Sequence, residues 1–163
     1  MFDYKVKITR VVDGDTVDAE LDLGFDILYR ERIRLMGIDT PESRTRNKVE
    51  KALGLAAKAR LKELIAENKG NIILKTAKQG KGKFGRILGS LYTNEIYPNT
   101  FNDILIEEGH ARKYYGGSKN ELGPWTKYEE NVDGIISGGW HKWTHEGYKL
   151  IENDHPLYKV RSS

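Results

Sequence analysis

Two short acidic segments of the chain contain the residue types that phosphate chemistry requires. The first is Asp13-Gly14-Asp15-Thr16, and the second is Asp39-Thr40-Pro41-Glu42. Carboxylate oxygens are the ligands that Ca²⁺ and Mg²⁺ prefer, and the kink at Pro41 could add a backbone carbonyl oxygen. Glu42 would then be placed to orient or deprotonate a water molecule. The two segments together predict a site for a hard cation.

Two arginines complete this set of candidate site residues. Arg34 lies among Ile33, Leu35 and Met36, and strands rarely place an arginine among apolar residues without a reason. Arg86 follows a flexible basic loop, residues 81–85. A guanidinium stays charged and can bind two phosphate oxygens at once. Cleavage of a phosphodiester needs an activated water, neutralisation of the growing charge and help for the leaving oxygen, and these residues could supply all three.

Each piece also has a simpler explanation when it is taken alone. Asp13-Gly14-Asp15 is typical of a polar hairpin turn, and residues 39–42 are typical of the entry to a helix. Arg34 could pair with Glu31 on a solvated face. These explanations are weaker when the segments are considered together. Both segments would then place acids and arginines near one end of the same small fold.

The hydrophobic pattern predicts the elements that must position these residues. Alternation predicts strands over 4–12, 15–23, 30–38, 71–77 and 86–93, and it places four apolar residues of the second strand on one face. Those four residues are Val17, Ala19, Leu21 and Leu23. Helical periodicity predicts helices over 48–68 and 102–108, and residues 126–137 could form a third.

This order of elements predicts an α+β fold, a five-stranded OB-type Greek-key β-barrel with about three helices. Residues 1–125 are expected to form the OB-fold domain. Residues 126–163 are expected to form a C-terminal helix and an aromatic tail that packs on the same domain.

The bulk composition is compatible with one globular domain. The 163 residues include 31% charged side chains and no cysteine, which excludes disulfides and thiolate metal sites. Residues 27–90 hold 16 Lys and Arg against 6 Asp and Glu, although the whole chain has a net charge of only +3. This uneven distribution indicates either a face that binds a polyanion or a solvated lysine-rich helix.

Two expectations concern the location of the chain. No apolar run is long enough to span a membrane, so no membrane contact is expected. The first residues lack the pattern of a signal peptide, so the chain as given would carry no export signal. It would be cytoplasmic as given, or the mature form of a secreted protein.

When these motifs are taken together, the chain resembles the staphylococcal (micrococcal) nuclease family, the thermonucleases. The resemblance rests on Val12-Asp13-Gly14-Asp15-Thr16-Val17, on Arg34-Leu35 followed by Asp39-Thr40-Pro41-Glu42, and on Phe84-Gly85-Arg86. Order and spacing match over about residues 5–116. The family implies an OB-type barrel and Ca²⁺-dependent cleavage of DNA and RNA that leaves 3′-phosphate and 5′-hydroxyl ends.

The resemblance also implies a role for each matching residue. Asp15, Asp39 and the Thr40 carbonyl are similar to the calcium ligands, with Asp13 as support behind them. Glu42 is similar to the residue that orients or activates water, and Arg34 and Arg86 to the phosphate clamps. The family positions that contact the terminal phosphate and the base correspond to Lys83, Phe84, Tyr114 and Tyr115. Either Tyr114 or Tyr115 would stack on the base. Phe84 replaces a family tyrosine and lacks its hydroxyl, which predicts weaker binding of a terminal phosphate.

Two other functions remain open from the sequence. The chain could be a nuclease-like module that binds nucleic acid without cleaving it, although the complete set of site residues argues against this. Residues 13–17 also fit the D-x-D-x-[TV] pattern of haloacid-dehalogenase-like phosphatases, a fold with alternating strands and helices. The chain is expected to be a monomer. His141 and His145 could share a helix face, but packing is a better explanation than metal binding, since no further ligands lie nearby.

Overall fold

A computed structural model of the chain describes residues 2–81, 86–114, 140–144 and 147–151. Five strands form a closed barrel in the order β1-β2-β3-β6-β5. They are β1 (Asp3–Asp13), β2 (Thr16–Asp22), β3 (Leu28–Leu35), β5 (Ile73–Lys81) and β6 (Ile87–Tyr92). Neighbouring strands are antiparallel except β3 and β6, which pair in parallel. The predicted five-stranded α+β barrel is therefore confirmed.

The prediction of one continuous strand over residues 30–38 is wrong. The strand ends at Leu35, and Gly37 has a φ of 79°, a left-handed conformation that glycine adopts without strain. After this turn, the two-residue strand β4 (Ile38–Asp39) leaves the barrel and pairs with β7 (Arg112–Lys113). The turn thereby redirects Asp39 away from the β3 ladder and into a separate two-stranded sheet.

The two helices of the described chain have well-defined ends. Helix α1 (Lys48–Glu67) begins after Asn47, whose side chain accepts hydrogen bonds from the amides of Val49 and Glu50. Helix α2 (Phe101–Glu107) begins with a capping box between Thr100 and Asp103. Both lie within two residues of their predicted limits. Neither is long and apolar enough to span a membrane. The third predicted helix, over 126–137, lies outside the described residues.

The hydrophobic core fills the barrel and extends beneath both helices. Its fully buried side chains include Leu21, Ile33, Leu35, Leu61, Leu74, Leu91, Phe101 and Leu105. Of the four residues predicted to share one face of β2, Val17, Ala19 and Leu21 are buried in the core, whereas Leu23 is 42% exposed. Leu23 lies past the end of β2 in the turn that leads to β3, where alternation no longer applies.

Near the C-terminus, β8 (Trp140–Thr144) and β9 (Gly147–Ile151) form an antiparallel hairpin, and β8 lies beside β7. His141 pairs with Leu150 in this hairpin. The expectation that His141 lies on a helix is therefore wrong, and His145 lies outside the described residues. The predicted tail of Trp140 and Trp143 falls on strand β8.

Candidate active site

The two acidic segments meet at one end of the barrel. Asp15 is buried, and its Oδ2 accepts a hydrogen bond of 3.0 Å from the backbone amide of Thr40, 25 residues further along the chain. Its Oδ1 accepts a bond of 2.9 Å from the Thr16 hydroxyl. The Asp15 carbonyl accepts from the amide of Leu35 at 2.8 Å, at the end of β3. Asp15 therefore links the β1–β2 turn to both the end of β3 and the segment that carries Asp39.

Arg34 lies directly against this linkage. It is opposite Thr16 in the β2–β3 register, and its Nη2 is 3.4 Å from Asp15 Oδ2. Its Nη1 donates to the carbonyl of Leu35 at 2.8 Å. Arg34 is buried and pairs with Asp15 instead of Glu31, whose carboxylate accepts a hydrogen bond from the Tyr29 hydroxyl. The apolar neighbours of Arg34 face the core, so the arginine points to the opposite face, as the alternation predicts.

Arg86 approaches the same end of the barrel from the start of β6. Burial lowers the pKa of its guanidinium, and the positive charge of Arg34 lowers that pKa further. The carboxylates of Asp15 and Glu42 raise the pKa of Arg86 and so act in the opposite sense. Two arginines that repel each other beside only partly compensating acids form a region where a bound phosphate would relieve the repulsion.

Asp39 is held by an arginine that the sequence does not single out. Asp39 and Arg112 are opposite each other in the β4–β7 pair, and both are buried. The guanidinium Nε and Nη2 lie 3.1 and 3.0 Å from Asp39 Oδ2. Arg112 follows the buried residues His110 and Ala111 just after α2, and a charged side chain buried in such a place needs a partner.

Glu42 projects from a turn that packs tightly on helix α1. Its side chain is exposed, and its backbone amide donates to the Glu50 carboxylate at 3.2 Å. A Cβ added to Gly54 would lie 2.5 Å from the carbonyl carbon and oxygen of Glu42. Only glycine at position 54 lets the backbone of this turn approach the helix so closely. The signal for Gly54 in the sequence is a glycine inside an otherwise regular helical pattern.

Asp13 supports the same turn from the other side. Its Oδ1 accepts hydrogen bonds from both the amide and the hydroxyl of Ser43, the residue that follows Glu42. Gly14, next to Asp13, is equally constrained, since a Cβ there would lie 2.8 Å from the Cβ of Ala57 on α1. Asp13 thus positions the turn that carries Glu42.

Of the remaining predicted site residues, one lies within the described part of the chain. Lys83, Phe84 and Tyr115 lie outside the described residues. Tyr114 follows β7, and its backbone amide donates to the carbonyl of Gly37 at 3.0 Å. This bond places Tyr114 beside the turn that precedes Asp39.

The donor atoms at this end of the barrel suit a hard cation. Asp15 and Asp39 contribute carboxylate oxygens, and the bond from the Thr40 amide to Asp15 brings the two segments into direct contact. Oxygen-only donors favour Ca²⁺ or Mg²⁺ over zinc. Within the described ranges, no group of three or more His, Asp or Glu side chains is arranged around one metal position. A cation here would therefore need backbone carbonyl or water ligands beside the two aspartates.

Comparison with known proteins identifies the family of this chain. The family model described as "Staphylococcal nuclease homologue" matches residues 32–132 of this chain. The match covers more than half of the sequence, and the chain belongs to this family. The closed barrel excludes the alternating fold of the phosphatase alternative.

Several relatives share this similarity. A thermonuclease from Staphylococcus hyicus is 30% identical over 128 residues, which cover 78% of this chain and 66% of that protein. A thermonuclease from Staphylococcus intermedius is 36% identical over 113 residues, 69% of this chain and 60% of the relative. The SPbeta prophage-derived endonuclease YokF of Bacillus subtilis is 32% identical over 111 residues, 68% of this chain and 34% of that protein. The chain thus spans less than two thirds of the length of each of these relatives.

Proposed function

We propose that this protein is a Ca²⁺-dependent endonuclease that hydrolyses phosphodiester bonds in DNA and RNA. The observation that carries this proposal is the convergence of Arg34 and Arg86 beside the carboxylates of Asp15 and Glu42. Family membership and relatives named as thermonucleases or endonucleases support the same function. The expected products carry 3′-phosphate and 5′-hydroxyl ends, as the family resemblance implies.

Asp15, Asp39 and the carbonyl of Thr40 are the residues that would hold the calcium ion. When bound, the ion supplies positive charge that neutralises the phosphate undergoing attack. Arg112 fixes the direction of the Asp39 carboxylate through the contacts at 3.0 and 3.1 Å. The hydrogen bond from the Thr40 amide fixes the direction of the Asp15 carboxylate in the same way.

Arg34 and Arg86 would bind the non-bridging oxygens of the scissile phosphate. A guanidinium group can donate hydrogen bonds to two phosphate oxygens at once. Charge on those oxygens grows as the attacking oxygen approaches, so fixed cations stabilise the transition state more than the bound substrate. Arg34 is already oriented by Asp15 and by the Leu35 carbonyl, which reduces the reorganisation needed on binding.

Glu42 would orient the attacking water and accept its proton. Its side chain is exposed on the side of Arg86, while its backbone is fixed by Glu50 and by the close approach to Gly54. Asp13 completes this support through Ser43. A carboxylate on an immobilised turn can keep a water in line with the phosphorus atom.

The substrate contacts outside the reacting centre are proposed on the family resemblance. Lys83 and Phe84 would contact the terminal phosphate, and Tyr114 or Tyr115 would stack on a base. Base stacking on an aromatic ring tolerates every base, which suits an enzyme that acts on both DNA and RNA. We further propose that the chain acts as a monomer, with residues 1–125 as the catalytic domain and 126–163 as a segment packed on it.

The experiment that tests this function is cleavage of single-stranded DNA and RNA with added Ca²⁺ and with a chelator, followed by analysis of the product ends. We expect cleavage only with Ca²⁺, and products that a polynucleotide kinase labels at the 5′ end without prior dephosphorylation. Binding without cleavage would support the non-catalytic module instead. Cleavage that persists in the chelator would refute the calcium dependence.

A further inference from the structure

The outer face of the barrel carries two rows of charged residues that are not among the candidate active-site residues. In the β1-β2-β3 register, Lys7 is opposite Glu20, which is opposite Arg30. The adjacent row places Arg10 opposite Asp18, which is opposite Arg32 in turn. Residues directly opposite each other in antiparallel strands share a face. Each row therefore has one acid between two bases and a net charge of +1.

The two residues of these rows that belong to β3, Arg30 and Arg32, lie in line with Arg34 of the candidate active site. Arg30, Arg32 and Arg34 alternate along β3 on one face, separated by about 7 Å at about 3.3 Å per strand residue. Arg34 is the buried end of this line and contacts Asp15. Arg32 also lies close enough to Arg86 to lower the pKa of that guanidinium. The charge of the site thus continues outward along β3.

The ion pairs of these arginines leave donors available. Arg32 Nε and Nη2 donate to the two carboxylate oxygens of Asp18 at 2.8 and 3.2 Å. Its Nη1 donates to no acceptor within the described part of the chain. Arg30 is more open still, since its side chain is 83% exposed and only its Nε contacts Glu20. Exposed ion pairs of this kind are weak, so they orient the guanidinium without preventing it from binding a phosphate.

An exposed aromatic side chain lies beyond the outer end of this line. Phe25 is 97% exposed at the tip of the β2–β3 turn, where Phe25 and Asp26 have φ values of 55° and 61°. Left-handed backbone is uncommon for a bulky residue. Hydrogen bonds from the amide of Gly24 to Asp22 Oδ1 and from the amide of Ile27 to the carbonyl of Gly24 hold the tip in this shape.

We propose that Arg32 and Arg30 bind successive phosphates of a single-stranded segment that leaves the active site, and that Phe25 stacks on one of its bases. This inference rests on the proposed nuclease function, because it assigns a path to the rest of the same substrate. Aligned cations followed by an aromatic platform are what single-stranded nucleic acid requires of an OB-fold surface. An extended strand matches the spacing of alternate residues along β3, whereas a duplex would not follow one strand of the barrel.

The test measures binding of fluorescein-labelled oligothymidine by anisotropy in a chelator, so that nothing is cleaved. For an oligomer of about twelve nucleotides, we expect Arg32→Gln to weaken binding about three- to tenfold. The slope of log affinity against log salt should fall in magnitude by about 0.7, the contribution of one phosphate contact. A labelled dinucleotide, which reaches only the active site, should bind both proteins equally.

A double variant separates a phosphate contact from a change in net charge. Arg32→Gln with Asp18→Asn restores the wild-type net charge but still lacks the guanidinium. We expect it to bind as weakly as Arg32→Gln alone, while Lys69→Gln, an exposed position just past the end of α1, should bind like the wild type. Wild-type affinity in the double variant would overturn the proposal, because Arg32 would then only neutralise Asp18.

The stacking contact and the underlying function have their own readouts. Phe25→Ala should weaken binding of the long oligomer about fivefold or more without changing the salt slope. Unchanged affinity in Phe25→Ala would overturn the stacking contact and favour an apolar protein partner for the tip. The arginine variants could lose affinity as expected while the wild type cleaves nothing. That result would refute the proposed nuclease function but would support phosphate binding by the arginines of β3.

Discussion

The backbone amide of Thr40 donates a hydrogen bond of 3.0 Å to the buried carboxylate of Asp15. This contact joins a turn of the barrel to a segment that has already left the barrel. Neither acidic segment forms a site alone, because each provides one buried aspartate. Glu42 lies two residues after Thr40, and its side chain is exposed. The geometry of the candidate site therefore depends on how the segment after β3 is anchored.

Replacement of Arg86 with alanine should remove most of the catalytic activity. The loss of a fixed cation at the scissile phosphate should reduce kcat by about three orders of magnitude. The measurement is steady-state cleavage with Ca²⁺, together with a urea unfolding curve to confirm that the variant is folded. Lys69→Ala serves as the charge-matched control and should keep wild-type kcat. A loss below about tenfold, roughly 1.4 kcal/mol, would contradict the role of Arg86.

The buried pair of Asp39 and Arg112 should be important for stability. Arg112→Leu leaves the Asp39 carboxylate buried without this partner, which should reduce the free energy of unfolding by about 3–5 kcal/mol. Urea denaturation followed by circular dichroism measures this change. The matched control is Arg30→Gln, which breaks an exposed pair with Glu20 and should cost about 1 kcal/mol or less. Equal costs for the two variants would mean that Arg112 does not anchor Asp39.

The glycine in helix α1 should not tolerate even one added carbon. Glycine to alanine normally stabilises a helix by about 0.5–1 kcal/mol. At position 54 we expect the opposite sign, a loss of about 1–3 kcal/mol, because the new Cβ would overlap the backbone of Glu42. Ala59→Gly, the reverse exchange at an exposed position of α1, should cost about 1 kcal/mol. A stabilised Gly54→Ala variant would show that the turn moves away from the helix freely.

The Asp18–Arg32 pair should be visible as a shifted titration. The hydrogen bonds and charge of Arg32 hold the pKa of Asp18 below its ordinary value of 3.8. The resulting stabilisation is complete above pH 3.8 and is lost as the pH falls through the pKa of the folded state. Nuclear magnetic resonance titration should show this pKa rising in Arg32→Gln but not in Arg30→Gln. The same Asp18 pKa in all three proteins would show that the pair does not form in solution.

The barrel could be predicted from the sequence because its strands and helices have strong local patterns. Alternation identifies β1 and β2, and helical periodicity that ends before Asn68 and Gly70 identifies α1. Asp15, Arg34, Asp39 and Glu42 are also recognisable, because their residue types are unusual in their local settings.

The contacts that hold the site could not be predicted in the same way. Asp39 lies in β4, a strand of two residues whose partner is 73 positions away, and so short an element has no periodicity. Arg112 and Gly54 act through residues that are distant in sequence, and their neighbours along the chain do not reveal those partners. Leu23 fits the alternation of β2 but lies beyond its last paired residue, Asp22.

Titration calorimetry with Ca²⁺ tests most directly whether Asp15 and Asp39 belong to one calcium site. We expect the wild type to bind Ca²⁺, and Asp15→Asn and Asp39→Asn each to weaken that binding by at least about tenfold, or about 1.4 kcal/mol. Glu67→Gln, at the exposed end of α1, should bind Ca²⁺ like the wild type. If either aspartate variant keeps its Ca²⁺ affinity within about twofold of the wild type, the two acidic segments do not form one metal site.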